Sequence, residues 1–340
     1  MKGLYGGLDL HSRTTLIGIL DEKFRRVYQK RVPNELTVIL ERLKPFKRYL
    51  HGIAVESTYN WYWLVDGLIA SGYNVHLANP AAMAEKYDGC KFQDDKYSAF
   101  RLAEFLAMGN LRTGYIYPKD GRPIRDLFRK RLFLVNKNTS HILSLKSLIE
   151  RTTGIRVKSE TLKKITHEDL RNLLKNEYFH MRAMADVHCM KVLTSQIKSI
   201  EKQVRQSCLL KEPFHYLLSV TGIGDILAMT IMLEVGDLSR FQTAGDYCSY
   251  ARCVPARKES AGKKKGEANR KNGNKYLSWA YAEAGHHARK NYPQIQKYYQ
   301  RKVSKRNKPV AARAVACKLA KASYYVMRDR IEFDVKKLFC

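Results

Sequence analysis

The sequence predicts an α/β domain over residues 1–165, a helical coiled-coil segment over 166–212, and a mainly α-helical C-terminal domain over 213–340. Three observations lead there. Within residues 1–110 the apolar pattern alternates between strand-like and helix-like periods. Two long stretches, Pro123–Thr153 and Tyr178–Cys208, carry apolar side chains at helical spacing. Glu212-Pro213 then breaks the second stretch, and a Gly-containing, strongly basic composition follows.

In chain order, Leu4–Leu10, Thr14–Leu20 and Phe24–Val32 read as three short strands joined by turns. Pro33-Asn34 opens a helix-like segment to Phe46, His51–Ser57 reads as a buried strand, Tyr59–Ala70 as a helix and Tyr73–Ala78 as another strand. The order βββαβαβ is that of an RNase H-like domain, a fold that holds divalent metals on carboxylates. Gly154 can end the first long helix. In the second, Met181, Met184, Val187, Val192, Ile197, Ile200 and Val204 recur at three- and four-residue spacings, which fits a helical hairpin or coiled coil.

The 340 residues are 45% hydrophobic and 11% aromatic, enough for folded cores, so global disorder is excluded. The formal charge of +30 would strain a compact fold unless a polyanion neutralised part of it, which makes nucleic acid the default partner. The excess is localised: residues 1–110 hold 15 basic and 12 acidic side chains, whereas 251–310 hold 17 and 3. No run of about eighteen apolar residues and no secretory leader pattern stands in the sequence, so no membrane partner and a cytoplasmic location are expected. Seven scattered cysteines without a CxxC pair exclude common disulfide and zinc frameworks. Cys248 and Cys253 with His286-His287 match no common zinc spacing and read as core cysteines and surface histidines.

Asp9 lies in GGLDLHS on the first strand, Glu56 ends the VES strand, and Asp94-Asp95 begin the helix-like DDKYSAFRLAEFL. In the RNase H order these positions converge, and two or three carboxylates together make an oxygen-rich pocket for Mg²⁺. Taken singly, each acid reads equally well as a turn residue, a helix cap or a first-turn acid.

SVTGIGD (219–225) sits between Phe214–Leu218 and Ile226–Val235, as two short helices joined by a Gly-Ile-Gly turn would. Gly222 and Gly224 let backbone N–H groups converge on a DNA phosphate; the plainer alternative is a packing turn. Between Tyr250 and Tyr281, a Gly-rich loop with Arg257, Lys258, Lys263, Lys264, Lys265, Arg270, Lys271 and Lys275 can follow a phosphate backbone. Ser260 stands among these cations, which would stabilise an attacking alkoxide, but Ser249, Ser278 and Ser304 also have basic surroundings. Composition does not choose among them.

Across these residues the chain resembles the DEDD-type insertion-sequence transposases, the family of recombinases guided by a bridge RNA. The resemblance runs through GGLDLHSRTT, VESTYNWYWLVDGL, YNVHLANPAA, KFQDDKYSAFRLAEFL, YPKDGRPIRDLFRKR, VTGIGDILAMTIMLEVGDLSRF and SAGKKKGEANRKNGNKYLSWAYAEA. It implies a RuvC-like N-terminal domain, a coiled-coil segment that oligomerises, and a C-terminal transposase domain with a helix-hairpin-helix. It further implies Asp9, Glu56 and Asp95 as Mg²⁺ (or Mn²⁺) ligands, and Ser260 as the catalytic nucleophile of a phosphoserine intermediate. Its expected partners are a structured guide RNA, donor and target double-stranded DNA, and further copies of the chain in a homodimer or homotetramer, in the cytoplasm and on the nucleoid when active. The fourth acid of the family's quartet is replaced by Ser98, with Asp94 four residues earlier on the same helix face, so Asp94 or Ser98 stands at the fourth position. A RuvC-like nuclease acting by hydrolysis and a non-catalytic nucleic-acid-binding protein are the rival functions.

Overall fold

The computed structural model describes residues 3–87, 95–254, 259–260, 263–264 and 272–339, without the side chains of 84–87, 95–97, 259–260 and 264. The chain divides into two compact units: residues 1–119 with 256–272, and 120–255 with 273–340.

The first unit is built on a five-stranded mixed sheet of β1 (Leu4–Leu10), β2 (Thr14–Asp21), β3 (Arg26–Pro33), β4 (Leu50–Glu56) and β5 (Val75–Ala78), in the order β3-β2-β1-β4-β5. β1–β3 form an antiparallel meander, while β4 and β5 run parallel to β1 after helical crossovers. The helices are α1 (Leu36–Leu43), α2 (Tyr62–Ala70), α3 (Pro80–Tyr87) and α4 (Asp95–Ala107). This arrangement is consistent with an RNase H-like domain. β3 begins two residues later than its apolar pattern suggests, because Phe24 adopts a left-handed turn conformation, φ 59°. α1 also starts later and closes in a 3₁₀ turn, Lys44–Phe46, where Pro45 cannot donate to the preceding turn.

The two sheet faces are made differently. One carries Leu4, Leu8, Ile17, Ile19, Ile53 and Val55 and packs with Ile39 and Leu43 of α1 and Leu64, Val65 and Leu68 of α2. The other offers Gly7, Gly18 and Ala54, small enough for α4 to lie directly on the strands. A Cβ on Gly7 would sit 1.9 Å from the Ala99 carbonyl oxygen and 2.9 Å from the Ala103 nitrogen. Glycine at 7 is therefore a requirement of helix-on-sheet approach.

The second unit is helical. α5 (Arg122–Thr153) and α8 (Glu177–Leu209) pack against each other and are linked through α6 (Ser159–Leu162) and α7 (His167–Leu173), with Leu145, Leu148, Ile149, Leu162, Leu170 and Ala183 at the centre of their contact. The remainder comprises α9 (Glu212–Ser219), α10 (Asp225–Val235), α11 (Ala244–Tyr250), α12 (Lys275–Asn291), α13 (Pro293–Lys305), α14 (Lys308–Asp329) and α15 (Val335–Phe339). α10 is buried on every side from Leu227 to Val235, and Glu234 is the one charged side chain in that run. Between α11 and α12 in the sequence, β6 (Glu259–Ser260) and β7 (Lys263–Lys264) pair antiparallel in a segment that groups with the first unit. Among the described residues no helix is long and apolar enough to cross a membrane.

Gly7→Ala forces α4 off the sheet and is expected to destabilise the protein by about 2–4 kcal/mol, read from the urea unfolding midpoint.

Candidate active site

β1 and β4 are parallel neighbours in the register Gly7↔Ala54 and Leu8↔Val55, which brings Asp9 and Glu56 together at their C-terminal ends. With side chains alternating across a strand, Gly7, Asp9, Ala54 and Glu56 share the face covered by α4. Asp9 is 4% exposed. Burial, then the charge of Asp9 and a hydrogen bond with it, raise the Glu56 carboxyl above its ordinary value, and the charge of His11 offsets part of the rise. Two carboxyls confined this closely resist being ionised together.

The surroundings of the pair are ordered by residues absent from the sequence-level assignment. His11 Nε2 lies 3.4 Å from Asp9 Oδ2. The His11 carbonyl accepts hydrogen bonds from Asn34 Nδ2 at 2.9 Å and Asn60 Nδ2 at 3.2 Å. Asn34 is itself held by the Thr15 hydroxyl, and Asn60 by the Thr58 hydroxyl. The signal for His11 is its spacing: two residues after Asp9, it follows on the same strand face if the strand continues. Asn60 has no such local signal, since only the fold brings the turn after β4 to the end of β1.

α4 brings the third acid's backbone to the same level. Leu106 lies against Gly52, whose strand neighbour is Tyr5, and Ala99 lies against Gly7, so α4 runs antiparallel to β1. Asp95 is one helical turn before Ala99, about 6 Å back along the axis, while Asp9 is two residues beyond Gly7, about 6.7 Å along β1. The Asp95 backbone therefore stands level with Asp9, on the face the helix covers. The side chain of Asp95 and the whole of Asp94 lie outside the described residues. Ser98, part-buried on α4, occupies the position three residues on.

The donor set at Asp9 and Glu56 suits a hard divalent cation: both side chains offer oxygen, and their mutual repulsion is what a bound cation would relieve. Among the described residues no group of three or more His, Cys, Asp or Glu side chains gathers as a metal site. A third ligand would have to come from beyond this pair.

In the second unit, the turn between α9 and α10 separates the two glycines. Gly222 has φ 87°, and a Cβ there would meet the Ala284 carbonyl oxygen at 2.4 Å and the Ala288 nitrogen at 2.8 Å. Its lack of a side chain serves the packing of this turn on α12. Gly224, by contrast, faces open space at the N-cap of α10, followed by Asp225, which is ion-paired with Arg205 at 2.5 Å.

Ser260 is the last residue of β6 and the backbone partner of Lys263 of β7, so the nucleophile candidate and one of the basic residues are neighbours across the two strands. Lys263 is exposed, as is Lys275 at the start of α12. Lys264 is described only by its backbone, and Arg257, Lys258, Lys265, Arg270 and Lys271 lie outside the described residues. Cys248 and Cys253 are buried and His286 and His287 exposed.

Residues 6–153 match a DEDD transposase family of the IS110 type, and residues 214–300 match the transposase IS116/IS110/IS902 family. The chain is thus a DNA transposase, an enzyme that cuts and joins DNA strands. It belongs to the DEDD-type IS110/IS116/IS902 insertion-sequence transposases. No curated protein sequence matches it. A DEDD-type domain implies use of a divalent metal, in keeping with the acid pair.

A carboxyl whose pKa is raised by folding contributes stability that is complete below the ordinary glutamate value of 4.5 and is lost as pH rises through the raised value. Metal-free Glu56→Gln is therefore expected to melt at a higher temperature than the parent at pH 7.5, with the gap closing as pH falls toward 4.5. Added Mg²⁺ should raise the melting temperature of the parent and not that of the variant, as read by scanning calorimetry.

Proposed function

We propose that the enzyme is an RNA-guided, site-specific recombinase that exchanges strands between donor and target DNA through a phosphoserine at Ser260. The observation that carries the metal-dependent half of this reading is the Asp9–Glu56 pair, a buried carboxyl and a half-buried one held in contact against their own repulsion. The serine half rests on the resemblance of SAGKKKGEANRKNGNKYLSWAY to the family's C-terminal motif, and is supported by the pairing of Ser260 with Lys263.

In the first step Ser260 Oγ gives up its proton and attacks a DNA phosphorus. The scissile P–O bond breaks, a deoxyribose hydroxyl departs, and the protein is left esterified to the DNA. Attack on that phosphoserine by a hydroxyl of the other duplex reverses the chemistry, reseals the backbone and returns Ser260. One phosphodiester is exchanged for another, so no high-energy cofactor is consumed. Asp9, Glu56 and Asp95 would hold Mg²⁺ or Mn²⁺, with Asp94 or Ser98 at the fourth position; the cation supplies charge neutralisation at the phosphate. Lys263, Lys264, Lys265, Arg257, Lys258, Arg270, Lys271 and Lys275 bind backbone phosphates, and the open space beside Gly224 at the start of α10 leaves room for a further phosphate contact in a helix-hairpin-helix.

Sequence choice is delegated to base pairing with a structured guide RNA, the protein reading phosphates and duplex shape. The excess of basic residues beyond residue 110, 47 against 20 acidic, suits a surface that carries both RNA and two duplexes. In this reading residues 1–165 form a RuvC-like domain, 166–212 complete an oligomerising helical segment and 213–340 form the transposase domain. The exposed apolar side chains Phe133, Leu143, Met181 and Val192 on α5 and α8 support assembly into a homodimer or homotetramer through these helices.

Ser260→Ala is expected to lose covalent protein–DNA adducts and recombination by about a thousandfold or more while retaining DNA binding; adducts still formed by the variant would exclude the serine mechanism and favour metal-dependent hydrolysis. Sequencing of RNA copurified with the protein should recover one structured species that pairs with both DNAs. Ser98→Asp, which restores the family's fourth acid, is expected to raise the cleavage rate at limiting Mg²⁺; no gain means that the position is not limiting.

A further inference from the structure

The ladder between β1 and β4 stops short of the two acids. Its last pair is Leu8↔Val55, and Asp9 and Glu56 each stand one residue beyond it. Past that point the strands follow different neighbours. Asp9 lies opposite Leu16 of β2, whereas Glu56 pairs with Ala78 of β5 and Ser57 N–H donates to the Ala78 carbonyl at 3.1 Å. Thr58 N–H then closes a tight turn on the Glu56 carbonyl at 2.9 Å. Strand pairing thus holds Asp9 to β2 and Glu56 to β5, and does not by itself hold one acid to the other.

Asn60 bridges the two strand ends. Its Nδ2 donates to the His11 carbonyl at 3.2 Å, joining the turn after β4 to the residue just past the end of β1. Both partners are themselves held. Asn60 Oδ1 accepts from the Thr58 hydroxyl at 2.8 Å, which aims the amide. The His11 carbonyl takes a second donor from Asn34 Nδ2 at 2.9 Å, so both lone pairs of that oxygen are engaged, and His11 N–H donates to the Thr14 carbonyl at 3.0 Å. The same residue sets its ring 3.4 Å from Asp9.

A local use of this amide was open and is not taken. Asn60 directly precedes Trp61, the N-cap of α2, and an asparagine at a helix start ordinarily turns its side chain onto the helix's open N–H groups. α2 has no side-chain cap, and the Asn60 amide donates instead to a carbonyl 49 residues earlier in the chain. We propose that Asn60 is a positioning residue of the acid site: by tying the turn after β4 to the end of β1 it sets the separation at which Asp9 and Glu56 share a divalent cation. This rests on the metal-binding reading of that pair. Asn60 acts through the backbone, since Thr58 and His11, the residues it engages, each lie two positions from an acid.

The test uses full-length protein freed of metal and nucleic acid, with Mn²⁺ alone as the probe, binding being read from the electron paramagnetic resonance signal of the free ion well below the melting temperature. Asn60→Ala is expected to weaken Mn²⁺ binding about tenfold or more, as loss of a group that orients a metal ligand does. Asn74→Ala is the control: Asn74 Nδ2 donates to the His51 carbonyl at 3.0 Å, an equivalent tie at the opposite end of β4, and its loss is expected to leave Mn²⁺ affinity within about twofold. Parental affinity in Asn60→Ala, whatever its melting temperature, marks a merely structural role and overturns the inference. An equal loss in Asn74→Ala marks a general loosening of the sheet and also overturns it. If Asn60→Ala does not fold, Thr58→Val decides, because it keeps the amide and removes the hydroxyl that aims it: about threefold weaker binding supports the proposal, parental binding overturns it. Glu56→Gln run alongside separates the two readings. Parental affinity from Glu56→Gln would sink the acid pair as the cation site, whereas binding lost in Glu56→Gln beside parental binding in Asn60→Ala would sink only the positioning role.

Discussion

The approach of α4 onto β1 at Gly7 is the contact on which the acid site depends. The helix can lie against the strand only because Gly7, Gly18 and Ala54 leave no side chain between them. That contact fixes the helix's height as well as its distance. With Ala99 seated on Gly7, the antiparallel run of α4 brings Asp95 level with Asp9. A larger residue at 7 would part the helix acids from the strand acids.

The carboxylates of Glu234 and Glu56 are treated in opposite ways. Glu234 is fully neutralised by a bidentate arginine and an asparagine amide, so its charge is spent on holding three helices in register. Glu56 is half-buried beside another acid, and the charge of His11 offsets part of the repulsion. Charge paired as in the first case builds a scaffold; like charges brought together as in the second form a set of oxygen donors that a cation would suit.

The succession of strands was legible in the sequence because each has a local signature: continuous apolar runs in Leu16–Leu20 and Ile53–Val55, and turn residues between. The two long helices were legible for the same reason: Arg122–Thr153 differs from its apolar pattern by one residue at its start, and Glu177–Leu209 by one residue at each end. Boundaries shifted where backbone geometry overrode composition, at Phe24 with its positive φ and at Pro45. Asp9 and Glu56 could be named from the sequence because each closes a strand, but His11 and Asn60 could not be tied to them: their connection crosses from one strand end to another. Gly222 could be read as a phosphate cradle or a packing turn, and its contact with Ala284 and Ala288 gives it the packing role.

Periodicity and charge, both local and additive along the chain, determined the α/β-then-helical order, the acidic candidates and the concentration of basic residues late in the chain. Register and approach, which depend on residues far apart in sequence, were decided only by the tertiary structure. Those are the pairing of Leu8 with Val55 that sets Asp9 beside Glu56, the seating of Ala99 on Gly7, and the meeting of Arg129, Glu234 and Asn274 across 145 residues of chain. No short window of sequence contains both partners of any of these contacts, and it is these contacts that turn a set of acidic and basic residues into a site.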